Sequence, residues 1–460
     1  MAAVAIGVFL STIDGSIVNV ALPTLAHELD APFAAVQWVV LAYLLTLVTL
    51  MMVAGRLADL RGKKPLYAAG FVIFTIGSLC CGLSPSIGWL LTARVLQAVG
   101  ASLLMALGAA IATEAFPREE RGRAMGLIGL MVSIGLISGP TLGGLILGVL
   151  PWQAIFFVNL PLGVFGTALV LRVVPVQPRP PRQPFDLRGA VLLFVTLLSF
   201  LLAVTLGPKA PPGAPHILAL GLVALVGGVS FVRLERTIEH PLVDLGIFRT
   251  STLSVNVVTG SLVFVASSGL VFLVPFYLQD LQGRTPAEAG LLLVVSPLVM
   301  GLSAPISGWL SDRIGTRPLT VVGLVTLLVG YLLVGGLRED TPAWEYLARV
   351  FWVGLGMGIF NSPNNSAIMG AVPRERLGVA SGLLSLTRTL GQTTGIALVG
   401  ASWAALTLLF DPTGAVDARD APAAIQLHAF RWTAIGLSVL VSAGVVLAVA
   451  TWRHEARRSG

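Results

Sequence analysis

Charge is the scarcest ingredient of this sequence. Of its 460 residues only 11% are charged, whereas 55% are hydrophobic and the mean hydropathy is +0.89. A soluble globular chain carries roughly 25% charged residues. Too few charges remain here to build a water-facing surface, which excludes a soluble enzyme and a nucleic-acid-binding domain. Cysteine is nearly absent as well. Cys80 and Cys81 stand side by side in an apolar run, so neither a disulfide framework nor a metal site is expected. No Gly-rich phosphate loop ending in Gly-Lys-Ser/Thr occurs, which argues against direct use of ATP. There is no His-Glu-x-x-His and no other catalytic cluster. The chain reads as a non-enzyme without a cofactor.

Long apolar runs are what it has in abundance. About 20 apolar residues span a bilayer as a helix. Such runs fall near 3–26, 33–55, 65–83, 88–114, 124–149, 154–172, 189–206, 216–233, 252–278, 288–310, 318–337, 345–370, 379–409 and 429–452. The expected fold class is an all-α polytopic membrane protein with fourteen transmembrane helices. Twelve is the alternative if the middle pair is misread.

Basic residues set the orientation. Arg56, Arg61, Lys63, Lys64, Arg118, Arg121, Arg123 and most of the remaining basic loop residues fall on one side. Lys209, Arg284, Arg338 and Arg419 face the other. This asymmetry places both termini in the cytoplasm and accounts for a pI near 10.0 without nucleic acid.

A repeat runs through the loops. GRLADLRGKKPL from Gly55 recurs as GWLSDRIGTRPL from Gly308. Ala93-Arg94-Val95 recurs as Ala348-Arg349-Val350, and PREERGRAMGL from Pro117 recurs as PRERLGVASGL from Pro373. The three matches keep one order and nearly one offset, 253 to 256 residues by position in the sequence. Two pseudo-symmetric six-helix bundles are therefore expected, residues 1–174 and 251–460, with a central linker carrying two additional helices over 175–250.

These motifs carry a resemblance. DGSIVNVALPTL at Asp14–Leu25, the Gly55 loop, LTARVLQAVGAS around Arg94, GLISGPTLGG at Gly135–Gly144 and WQAIFFVNLPLG at Trp152–Gly163 resemble the fourteen-helix drug:proton antiporter group of the major facilitator superfamily. The resemblance covers nearly the whole chain. One departure is Leu60, where the family usually has a basic residue. The resemblance implies a secondary active transporter of the bacterial inner membrane, working by alternating access. It implies proton-coupled export of small amphipathic or lipophilic compounds, that is, multidrug efflux and antibiotic resistance. The proton motive force would drive it, the partners would be substrate, protons and lipid, and the implied state is a monomer. A lipid or lysolipid exporter and a proton-linked uptake carrier are the alternatives.

An ionisable group in lipid is costly and marks function by default. Asp14, Arg94 and Arg388 lie inside apolar runs at comparable depth. Asp14 fits a proton-coupling carboxylate, a substrate contact, or one half of a static Asp–Arg pair. Arg94 has no acid within four residues, so its partner must come from another helix or from water; it fits a relay or a structural role. Arg349, by contrast, follows Glu345 at the i,i+4 spacing that satisfies it locally. Ser381, Ser385, Arg388 and Gln392 form one polar stripe, expected to face a water-filled cavity. Asn19, Asn159, Asn256, Asn361, Asn364, Asn365, Tyr277 and Gln279 are candidate cavity-lining groups, although such a residue is more often an interhelical hydrogen bond. Gly135, Gly139, Gly143 and Gly144 suit close helix packing, with Pro140 favouring a kink. Gly55 and Gly62 suit tight turns. The resemblance assigns Asp59, and with it Arg61, Asp312 and Arg313, to a gating loop. Trp38 and Trp152 are expected as aromatic anchors at the membrane interface.

Overall fold

The computed structural model describes the backbone of residues 1–460 except 116–120, 176–185, 212, 239–245, 247–250, 373–376 and 460. Within its helices the side chains at 52, 55, 56, 59, 60, 109, 113–115, 121–126, 251, 252, 377–379 and 454–459 also lie outside the described set. The described residues are mostly helical, and no strand occurs among them.

The first seven helices are α1 (Ala2–Glu28), α2 (Phe33–Arg61), α3 (Lys63–Gly82), α4 (Ile87–Ala115), α5 (Arg121–Val149), α6 (Ala154–Val173) and α7 (Leu187–Leu206). The second seven are α8 (Pro215–Thr237), α9 (Ser251–Phe276), α10 (Pro286–Ile314), α11 (Thr316–Gly335), α12 (Ala343–Gly370), α13 (Leu377–Phe410) and α14 (Ala423–Ser459). Thirteen of them are long and apolar enough to cross a membrane. The remaining one, α12, has 28 residues and is long enough. It is less apolar because it carries Glu345, Arg349, Asn361, Asn364 and Asn365, and it packs between α10 and α11.

Two helices break, and proline explains both. A proline cannot donate to the carbonyl four residues earlier. Pro161 therefore withholds a bond from Phe157, and α6 is interrupted at Val158. Pro297 withholds one from Leu293, and α10 is interrupted at Val294.

The chain divides into two compact units. One comprises Met1–Ala203, Gly213–Leu242 and Arg284–Leu291; the other comprises Val204–Pro212, Val243–Gly283 and Leu292–Gly460. Each unit repeats the other's internal packing. In the first, α1 lies on α5, α2 and α3 both lie on α4, and α3 lies on α6. In the second, α9 lies on α13, α10 and α11 both lie on α12, and α11 lies on α14.

The repeat extends to single dihedral angles. Gly62 ends α2 and starts α3 at φ 89°, ψ 149°, and Gly315 ends α10 and starts α11 at φ 90°, ψ 159°. That region is essentially reserved for glycine, so both copies of the loop motif keep it. Gly55 does not turn the chain: it lies within the uninterrupted helix α2, and the turn rests on Gly62.

Much of the surface is apolar. α8 exposes Leu218, Leu222, Leu225 and Val226, as a helix surrounded by lipid tails would. The chain is a multi-pass membrane protein.

Candidate functional site

Glycines bring four helices of the first unit close together. A Cβ added at Gly135 would meet Thr12 at 2.9 Å, one at Gly139 would collide with the Ser16 hydroxyl, and one at Gly143 would meet Ile17 at 2.8 Å. These three glycines form the face that α5 presents to α1, and the Ser16 hydroxyl donates to the Gly135 carbonyl at 2.9 Å. Gly144 points elsewhere on α5, against Pro286 and Gly290 of α10. The Pro140 carbonyl shares that second face, against Gly290. On the other side of α1, Gly77 of α3 lies against the backbone of Gln97, its added Cβ falling 2.5 Å from the Gln97 Cα. That approach pins α4 where Arg94 and Gln97 reach α1.

The result is a charge network sealed from water. Asp14 and Arg94 are both 0% exposed. Arg94 Nη1 donates to Asp14 Oδ2 at 2.6 Å and to Gln97 Oε1 at 2.7 Å. Gln97 Nε2 donates to Asp14 Oδ1 at 2.7 Å, and Asn159 Nδ2 donates to the same oxygen at 3.0 Å. Asn159, at the start of the second segment of α6, also donates to Ser78 Oγ, which donates to the Phe156 carbonyl. The guanidinium is held from α2 as well, through Arg94 Nε to the Val39 carbonyl at 3.1 Å and the Tyr43 ring, 4.2 Å from the guanidinium carbon. Two buried atoms, Arg94 Nη2 and the Tyr43 hydroxyl, have no hydrogen-bond partner.

Three donors converge on the Asp14 carboxylate, from Arg94, Gln97 and Asn159. The pair nonetheless sits where desolvation consumes much of the Coulombic gain. Removing one partner of such a pair costs about 3–5 kcal/mol, because the other charge is left buried alone. The arrangement is stable as a unit and highly sensitive to anything that neutralises one member.

Arg94's partner does come from another helix. Gln97, Tyr43 and Ser78 were not among the sequence-derived candidates. Gln97 was readable in principle, since it follows Arg94 by one turn on the same face; nothing local marks the other two.

The remaining candidates are scattered. Asn19 is half-buried, with its Oδ1 unpartnered. Asn256 lines a cleft of about 740 Å³ in the second unit, with Thr316, Arg317, Ser366 and Trp452. Tyr277 is buried at the far end of α9, where its hydroxyl donates to the Arg338 carbonyl at 2.7 Å and its ring stacks on Phe430. Asn361 is half-buried, whereas Asn364 is buried with its Oδ1 unpartnered. Arg388 and Gln392 are half-buried on α13. Arg349 pairs with Glu345 and also donates to the Leu333 carbonyl at 3.0 Å. Arg61 and Asp312 are exposed, and Arg313 lies over the Trp309 ring at 4.0 Å. The Asp59 side chain lies outside the described residues. Trp152 corrects the aromatic-anchor expectation: it is 4% exposed and packs edge-on against Phe156, so it belongs to the protein interior.

A helical, multi-pass fold with one sealed acid–base pair fits a membrane carrier, and comparison with known proteins names its class. The profile of the Major Facilitator Superfamily matches residues 4–396, and the chain belongs to that superfamily. It is 36% identical over 403 residues to the riboflavin transporter RibZ of Clostridioides difficile, covering 87% of each chain. It is also 36% identical over 410 residues to the multidrug resistance protein Stp of Mycobacterium tuberculosis, covering 88% of this chain and 76% of that one. Among solved structures, a bacterial homologue of the human lysosomal transporter Spinster superimposes with a TM-score of 0.68 at 16% identity, covering 98% of this chain and 96% of the other. That likeness speaks to the fold.

Proposed function

We propose that the protein is a proton-coupled exporter of small amphipathic or lipophilic compounds, working by alternating access in a bacterial inner membrane with both termini cytoplasmic. The observation that carries this reading is the sealed Asp14 carboxylate with Arg94 as its countercharge. Protonation of Asp14 turns a neutral buried pair into a lone buried guanidinium. The cost of an uncompensated buried charge, about 3–5 kcal/mol, corresponds to a shift of roughly 150- to 5000-fold in a two-state equilibrium. A change of that size is enough to drive the pair toward a conformation in which water or substrate reaches it. Proton binding and conformational choice become one event, which is what coupling requires. Gly55, Asp59, Arg61, Gly62, Asp312 and Arg313 act as the gating loops of the two halves, a role supported by their resemblance to the superfamily's loop signature.

Similarity to a multidrug resistance protein supports efflux, and similarity to a riboflavin transporter supports a second reading, uptake of a metabolite. The two differ in the direction of substrate movement relative to protons. Purified protein in liposomes, with an imposed pH gradient and a trapped pH dye, separates them. Antiport moves protons against the substrate and symport moves them with it. Substrate flux that leaves the dye unchanged at every gradient refutes both.

A further inference from the structure

We propose that the transported compounds carry an anionic group, a carboxylate or a related oxyanion, and that Arg388 is the side chain that receives it. The proposal rests on the transporter reading above and refines its substrate class.

An arginine inside an apolar helix needs a partner. Arg94 has Asp14, and Arg349 has Glu345. Arg431 is exposed. Arg388 is half-buried and, among the described residues, has neither an acid nor a hydrogen-bond acceptor. The acids in its own unit that carry ion pairs are committed elsewhere: Asp280 to Arg419 at 3.2 Å, Asp417 to Lys209 at 2.7 Å, and Glu345 to Arg349. Asp14 is committed to Arg94. Among the described residues the chain supplies no countercharge for Arg388, which points to one that arrives from outside it.

Its surroundings favour a ligand. Arg388 lies eight residues, about 12 Å along the axis, inside the apolar span that begins at Ala380 of the 34-residue helix α13. That is too deep for a lipid phosphate at headgroup level. Ser381, Ser385 and Gln392 share its face and stay at least partly accessible, whereas Thr389 and Thr393 are buried and spend their hydroxyls on carbonyls one turn back. Gly391 and Gly395 set α13 directly against α9, so the helix that presents Arg388 is firmly seated. A guanidinium offers a planar fork that matches a carboxylate bidentately, and the Gln392 amide one turn on supplies further donors. A cationic substrate would meet an unbalanced like charge at this position.

Three probes with one hydrophobic body test the assignment: 4-(1-pyrenyl)butyrate, its methyl ester and the matching trimethylammonium compound. Equilibrium binding is measured on the full chain in phosphatidylcholine nanodiscs, then in discs with added phosphatidylglycerol. The wild type is expected to bind the carboxylate about tenfold or more tightly than either analogue, since a charge-assisted bidentate contact is among the strong ones. Arg388→Gln is expected to level the carboxylate with the ester, and Arg388→Lys to keep part of the preference. A wild-type preference for the cation or the ester overturns the proposal, even where Arg388→Gln does not fold. So does a carboxylate preference that survives Arg388→Gln. Loss of that preference in phosphatidylglycerol discs assigns Arg388 to anionic lipid and equally overturns it. Proton movement with the same probes speaks only to the transporter reading: none with all three refutes that reading, whereas proton-coupled transport of the cation alone refutes only the anion assignment.

Discussion

Arg94 and Asp14 stand 80 residues apart in the chain and meet at 2.6 Å with neither side chain exposed to solvent. Because each is the other's only countercharge among the described residues, their substitutions should be strongly non-additive. Arg94→Gln alone leaves a buried carboxylate without its cation and is expected to cost about 3–5 kcal/mol. Adding Asp14→Asn should recover most of that loss. Thermal unfolding of the two single variants and the double variant in one detergent measures the coupling; additive effects would mean that the pair contributes nothing as a unit.

Arg349 occupies the repeat position of Arg94 in the second unit but has a different environment. Its side chain is 21% exposed and Glu345 is 18% exposed, so water screens the pair. Arg349→Gln is expected to cost no more than about 1 kcal/mol and to leave transport near the wild-type rate. A loss matching that of Arg94→Gln would show that the two halves share the chemistry as well as the fold.

Gly62 and Gly315 should respond alike. At φ near +90° any side chain is strained by about 1–3 kcal/mol, so Gly62→Ala and Gly315→Ala should each lower the unfolding temperature by a similar amount. A large difference between them would mean that the two loops are not conformational equivalents.

Gly139 separates α5 from α1 at the level of Ser16. Its added Cβ would collide with the Ser16 hydroxyl, and overpacking of this kind costs about 1–3 kcal/mol. Gly139→Ala should destabilise the protein, and Ser16→Ala should relieve part of that effect. Failure of the second change to help would place the clash elsewhere.

The fold was largely legible in the sequence because lipid forces regularity on it. Apolar runs fix the helices, whereas the two breaks near Pro161 and Pro297 were not legible, because Pro23, Pro140, Pro275, Pro305 and Pro363 lie inside helices that continue. The repeated motif was legible, but of the two turn glycines expected, Gly55 and Gly62, only Gly62 makes a turn, and Gly315 repeats it. The site was legible only in part. Asp14 and Arg94 stand out as charges in apolar runs, and the need for a distant partner at Arg94 follows from its neighbours. Which helix would supply it depends on glycine contacts between α1, α3, α4 and α5, and those are tertiary. Tyr43 enters through its ring face, which no local pattern marks. Trp152 lies at the edge of an apolar run, yet close packing against Phe156 draws it inward, because side-chain packing overrides position along the helix.

The central claim is that Asp14 couples the proton to transport. Its most direct test compares Asp14→Asn with the wild type in liposomes under two conditions: substrate exchange at equal pH on both sides, and accumulation driven by a pH gradient. The isostere keeps the shape of the site and removes the titratable group. The account predicts that gradient-driven accumulation disappears and that any exchange left by the shifted conformational equilibrium no longer responds to pH. Wild-type accumulation by Asp14→Asn would contradict it and place the coupling at another residue.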